Sequence, residues 1–207
     1  MNLYSTYVLP RLIDWAMDCK RLAPLRAELL SSARGRVAEI GFGSGMNLPF
    51  YPKEVERLFA IDNSRELLDR AAKRRAGFAG ELEILLAPAD RIPLEKHSVD
   101  FVVSTFTLCS VPSTLGVLGE VKRILRPNGT LLFLEHGLSP DLPVQKWQRR
   151  LTPIQKRIAG GCHLDRNILG LLADACWDVP TSKRFYLEGV PRTAGFITQG
   201  EAESTRL

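Results

Sequence analysis

The chain has 207 residues, 45% hydrophobic and 25% charged, with 28 basic against 23 acidic side chains and a net charge of +5. That size suits one domain of ordinary globular composition and excludes disorder, collagen-like repeats and low complexity for the whole chain. The four cysteines, Cys19, Cys109, Cys162 and Cys176, form no Cys-x-x-Cys pair, so their spacing indicates no disulfide framework, zinc site or other metal site and fits a reducing, cytoplasmic compartment.

Residues 1–7 lack the basic start and apolar stretch of a signal peptide. Residues 8–22 read as an amphipathic helix, with Val8, Leu9, Leu12, Ile13, Ala16 and Leu22 apolar and Pro10 tolerated in the first turn. Strands are predicted over 36–40, 57–61, 82–86, 99–104 and 130–134, as short apolar runs without clean alternation, the pattern of strands covered on both faces. None approaches the ~20 apolar residues of a spanning helix. A helix over 64–76 opens with a serine cap and carries Leu67, Leu68, Ala71 and Ala72 at helical spacing. A second, over 113–125, lines up Leu115, Leu118, Val121, Ile124 and Leu125 and stops at a turn over Arg126-Pro127-Asn128-Gly129. Residues 140–175 read mostly as helix, broken at Gly160-Gly161 and capped again near Asp165, and two last strands are expected over 184–187 and 193–198. Strand and helix in alternation predict an α/β fold with a mostly parallel, doubly wound sheet.

The strongest motif is Val37-Ala38-Glu39-Ile40-Gly41-Phe42-Gly43-Ser44-Gly45-Met46-Asn47, placed where the first strand ends. Glycines there let backbone approach a ligand at the carboxyl end of a parallel sheet. Gly45 follows Gly43 by two positions, whereas a dinucleotide fingerprint has its third glycine three positions on. Glu39 would repel a pyrophosphate but not a cationic ligand. Asp62 ends the second strand and can accept hydrogen bonds from both hydroxyls of a ribose. Glu39, the three glycines and Asp62 together describe a site for a nucleoside with a positively charged arm, and S-adenosylmethionine fits it.

These residues resemble the class I S-adenosylmethionine-dependent methyltransferases. Ala87-Pro88-Ala89-Asp90-Arg91-Ile92-Pro93, Ser98-Val99-Asp100-Phe101-Val102-Val103-Ser104-Thr105 and the stretch from Glu120 to Thr130 match further segments of that family. The resemblance implies a Rossmann-like domain with a seven-stranded sheet: a cofactor-binding core over 34–136, a helical cover over 1–30, a helical insertion over 140–176, and final strands with a tail over 177–207. It also implies that Asn47, Asn63 and Thr105 join the donor site, and that S-adenosylhomocysteine is the product. Many relatives have an adenine-binding aspartate where Pro88 stands, so that task falls to the Ala89 backbone and the Asp90 side chain.

Leu108-Cys109-Ser110-Val111-Pro112, Phe133-Leu134-Glu135-His136-Gly137 and Gly160-Gly161-Cys162-His163-Leu164-Asp165-Arg166 are similar to the alkyl-thiol S-methyltransferases of animals and their small bacterial relatives, within the wider ubiquinone/menaquinone methyltransferase superfamily. A small, rather apolar acceptor is implied, a thiol first. A lipid-headgroup or quinone methyltransferase and a non-catalytic S-adenosylmethionine-binding protein are the rival readings.

His136, after the fifth strand beside Glu135, is the expected base or acceptor-orienting residue, or else a structural histidine; His163 is a second candidate. His97 reads as a solvated turn residue. Cys109 and Cys162 read as packing residues, since a soft-metalloid site would need several thiols gathered in one pocket. Trp147 reads as packing, with Gln148 a possible lining residue of the acceptor pocket. Lys146, Arg149, Arg150, Lys156 and Arg157 interleave with Trp147, Leu151 and Ile154, either a solvated helix face or a peripheral membrane contact. No nucleic-acid module and no obligate protein partner is recognisable.

Overall fold

The computed structural model describes residues 20–204. Residues 1–19, and with them most of the predicted helix over 8–22 and of the 1–30 cover, lie outside the described residues. In chain order the elements are α1 (Leu22–Leu30), β1 (Gly35–Ile40), β2 (Val55–Asp62), α2 (Arg65–Arg74), β3 (Glu81–Leu86), β4 (Val99–Thr105), α3 (Thr114–Ile124), β5 (Leu125–His136), α4 (Leu142–Ile158), α5 (Ile168–Asp174), β6 (Trp177–Tyr186) and β7 (Phe196–Ser204).

The seven strands form one sheet in the order β3-β2-β1-β4-β5-β7-β6. β1 to β5 run parallel, and β7 pairs antiparallel with both β5 and β6. Successive residues of β5 feed opposite cores, as the two-residue period of a strand requires. Leu131 and Phe133 pack with Val117, Leu118 and Val121 of α3 and Leu172 of α5. Leu132 and Leu134 pack with Leu29 and Leu30 of α1 and Leu68 and Ala71 of α2. α2 and α3 start at serine caps, Ser64 accepting from Leu67 N and Ser113 from Gly116 N.

Several expectations are corrected. Leu115 is 56% exposed and leaves the apolar face of α3 to Val117, Leu118, Val121 and Ile124. Residues 126–129 continue β5 rather than forming a separate turn, with the β4–β5 register shifting between Val99 and Phe101 and Asn128 at φ +68°. The cap expected near Asp165 is Asn167, whose side chain accepts from Gly170 N. β6 and β7 are longer than expected and displaced. His97 is not merely solvated: its Nδ1 lies 2.7 Å from Leu125 O, and its φ is +57°.

α4 stands apart. Only Gln148 and Thr152 are buried, while Leu142, Trp147, Ile154 and Ile158 are exposed. Trp147 is therefore not a packing residue; Arg150 lies over its ring. Among the described residues no helix is long and apolar enough to cross a membrane.

Candidate active site

The sheet order reverses between β1 and β4, so ligand-binding loops are expected beyond the carboxyl ends of those strands. A cleft of about 700 Å³ lies at the opposite, amino end, lined by Gly35, Glu54, Asp100 and Asn128, and is not at that crevice.

At the carboxyl end, Gly41 and Gly43 have φ of +64° and +59°, the left-handed region that favours glycine. They differ in surroundings. A Cβ on Gly41 would collide with Thr107, whereas one on Gly43 would meet only Gly41 O at 3.9 Å. Gly43 thus faces open space. Its N–H donates to Asp62 Oδ2 at 2.8 Å, and Ser64 N donates to Asp62 Oδ1 at 2.8 Å. Burial raises the Asp62 pKa against these backbone hydrogen bonds. Asn63 and Asp90 are exposed at the same end of the sheet and Ala89 is half-buried, close because Ala87 N donates to Asp62 O.

Glu39, Asn47 and Thr105 lie beneath the loop, not on its surface. Glu39 is 1% exposed; it accepts from Asn47 Nδ2 at 2.8 Å and from Tyr51 OH at 2.6 Å. Asn47 also donates to Thr105 Oγ1 at 3.1 Å and accepts from Arg26 Nη1 of α1 at 2.5 Å. The knot ties α1, β1, the glycine loop and β4 together. Arg26 and Tyr51 were not singled out from sequence; their partners are 21 and 12 residues away, with no local pattern marking them.

Burial pushes the Glu39 pKa up to about 7 from 4.5, opposed by Tyr51, Arg26 and Asn47. The folded protein therefore holds this proton more tightly than the unfolded chain. The resulting stabilisation is complete below about pH 4.5 and is lost as pH rises through about 7. Glu39→Gln keeps the knot, because its amide can accept from Asn47 and donate to Tyr51. Denaturation midpoints should fall less steeply with pH for Glu39→Gln than for wild type across that window; equal slopes would remove Glu39 as their source.

The third group lies at the ends of β4 and β5. Phe106 follows β4 at φ +55°, an uncommon conformation for a large residue, and its ring is 6.4 Å from that of His136. The buried carboxylate of Glu135 accepts from Ser104 Oγ and from the amides of Thr107, Leu108 and Cys109, and burial raises its pKa against those donors. His136 Nε2 lies 2.7 Å from Cys162 Sγ. Burial disfavours the charged imidazole, but Cys162 and Glu135 outweigh it and raise its pKa. The Cys162 thiol is pushed up by a hydrogen bond with Cys109 and by burial. Cys109 and Cys162 are both buried, as packing residues are, and Cys162 also meets His136. His163 lies beside this group: its N–H donates to Cys109 O at 2.8 Å, and burial with Arg166 and Lys156 lowers its pKa. Gln148 braces loops, accepting from Ser139 N and donating to the carbonyls of Gly137 and Thr193.

Residues 38–133 match the methyltransferase domain family. The rat thiol S-methyltransferase TMT1B is 33% identical over 79% of this chain and 70% of its own length. The human TMT1B is 36% identical over 66% of this chain and 58% of its own length, so the chain spans well under the whole of these relatives. The fold is similar to that of the methyltransferase solved with the Haloferax volcanii Trm112 activator, at a TM-score of 0.71 and 19% identity over 94% of each chain. Glycine loop, strand-end aspartate, sheet order and kinship agree: the chain belongs to the class I S-adenosylmethionine-dependent methyltransferases.

Proposed function

We propose that the protein methylates a small, rather apolar thiol. The observation that carries this reading is the half-buried His136, next to Phe106 at the carboxyl end of β5, in a chain 33% identical to a thiol S-methyltransferase.

The residues present fit S-adenosylmethionine. Gly43 faces open space, and the Asp62 carboxylate keeps acceptor capacity beyond its backbone donors Gly43, Ser64 and Asn63. Asp62 would accept from the ribose hydroxyls, Ala89, Asp90 and Asn63 would border the nucleoside, and Gly43 would let backbone lie against the donor, while Gly41 and Gly45 let the loop close on Thr107 and on Leu48 and Ala71. Glu39, Asn47 and Thr105 would hold that loop from below. Bound S-adenosylmethionine supplies an electrophilic methyl group on a sulfonium, leaving as S-adenosylhomocysteine. His136 and His163 would orient the acceptor, and Phe106 would exclude water from it. Alignment of this kind is potentially worth ~7–11 kcal/mol. A thiol with a pKa near ~8.5 needs only modest help to lose its proton near neutral pH, so a carboxylate–histidine pair is unnecessary.

S-adenosylhomocysteine release should be measured against alkyl and aryl thiols, amines, phenols and phosphatidylethanolamine vesicles. Turnover of a thiol is the expected result. Turnover of an amine, phenol or headgroup without any thiol turnover would overturn the acceptor reading. Asp62→Ala should weaken the donor by ~10- to ~150-fold, from losing hydrogen bonds to a charged group worth ~1.5–3 kcal/mol. Unchanged affinity by calorimetry would remove Asp62 from the site.

A lipid-facing acceptor is the second reading, favoured by α4. Its exposed Trp147, Ile154 and Ile158 lie among Lys146, Arg149, Arg150, Lys156 and Arg157, the composition of an interfacial helix.

A further inference from the structure

Cys109, His136 and Cys162 come from three separate segments: the loop after β4, the end of β5 and the turn after α4. Among the described residues they form a group whose ligand atoms all lie within 4.8 Å of one another, with both cysteines buried. His136 Nε2 lies 2.7 Å from Cys162 Sγ. Two ligand atoms on one tetrahedral zinc stand roughly 3.5–4 Å apart, given bonds of about 2.0–2.3 Å. All three ligand atoms lie within 4.8 Å of one another, so side-chain adjustments of about 1 Å bring them to that spacing.

We propose that Cys109, His136 and Cys162 bind one thiophilic divalent cation of the zinc and cadmium class, leaving a fourth coordination position for an exogenous ligand. Two thiolates and an imidazole are the donors such cations select, and three protein ligands with an open position is the arrangement of catalytic zinc. Charge balance favours it. Binding releases the Cys109 and Cys162 thiol protons to solvent, and the dication, two thiolates and neutral imidazole sum to zero. No net charge is then buried.

The surroundings hold the donors in place. The Cys109 amide donates to Glu135 Oε2 at 3.3 Å, and the Cys109 carbonyl accepts from His163 N at 2.8 Å. Arg166 donates to the carbonyls of Leu108 and Val111, fixing the loop on both sides of Cys109. Such outer contacts orient ligands before an ion arrives. If the acceptor is a thiol, its sulfur suits the fourth position and loses its proton to solvent on coordination. That extension rests on the acceptor reading above; cation binding does not.

The test is a Cd²⁺ titration of the full chain carrying Cys19→Ser and Cys176→Ser, so that only two thiols remain. Ultraviolet sulfur-to-cadmium charge transfer should saturate at one equivalent and be reversed by excess Zn²⁺ with a chelator. It should disappear in Cys109→Ser and in Cys162→Ser, and His136→Ala should need more cadmium to reach the same signal. Circular dichroism and an S-adenosylmethionine-dependent thermal shift establish that each variant is folded. Absence of a stoichiometric band in the two-thiol protein, which needs no further substitution, would overturn the proposal. So would a band that survives loss of both remaining thiols. Cadmium binding without turnover of any thiol would sink the acceptor reading and leave the site standing. Thiol turnover with no band would do the reverse.

Discussion

Gly41→Ala should destabilise the protein by roughly 2–5 kcal/mol. A left-handed φ of +64° costs an alanine roughly 1–2 kcal/mol. The added Cβ would stand 2.7 Å from Thr107 Cγ2 and 2.8 Å from Thr107 Cβ, and closer still to Oγ1, an overpacking that costs typically about 1–3 kcal/mol. Thr107 cannot retreat cheaply. Its hydroxyl hydrogen-bonds the carbonyls of Ile40 and Thr105, and its amide is held by Glu135. Gly43→Ala is the contrast: its Cβ meets nothing nearer than 3.9 Å, so stability should fall only by the conformational cost while donor affinity falls further. Urea denaturation and calorimetry with S-adenosylmethionine separate the two. Equal stability losses for the two variants would remove the Thr107 contact from the account.

Glu135→Ala is expected to cost about 3–5 kcal/mol. The carboxylate is fully buried and serves one hydroxyl and three consecutive backbone amides. Each donor left unsatisfied costs about 1–3 kcal/mol, and water entering the space recovers part of the sum. Glu135→Gln should lie between, near ~1–2 kcal/mol, because its carbonyl still accepts while its amide faces the Cys109 N–H. Denaturant midpoints should therefore rank wild type, Gln, Ala. An alanine variant within about 1 kcal/mol of wild type would show that the loop from Thr107 to Cys109 supports itself.

The parallel half of the sheet was legible because buried parallel strands are short apolar runs, and β1 to β4 were located within two residues at each end. The antiparallel edge was not. β6 is mostly exposed and polar, and Pro180 interrupts it at the register shift between Asp178 and Thr181. A proline costs a ladder hydrogen bond, so its presence argues against a strand unless it falls at a bulge or an edge. The site divides the same way. The glycine loop with Glu39 and the strand-end Asp62 form a local pattern. Arg26, Tyr51, the loop held by Glu135 and the Cys109–His136–Cys162 group depend on contacts between distant segments, and sequence alone gave no reason to join them.

The place of β7 in the sheet has a consequence for biosynthesis. β7 hydrogen-bonds between β5 and β6, yet follows both in the chain. During translation, β5 emerges long before its partner on that side, leaving the edge of Leu131-Leu132-Phe133-Leu134 unpaired. An unpaired apolar edge is a template for pairing with another chain. The nascent protein should therefore be most dependent on chaperones while residues 137–195 are being made, and closure of the sheet must wait for β7 to insert.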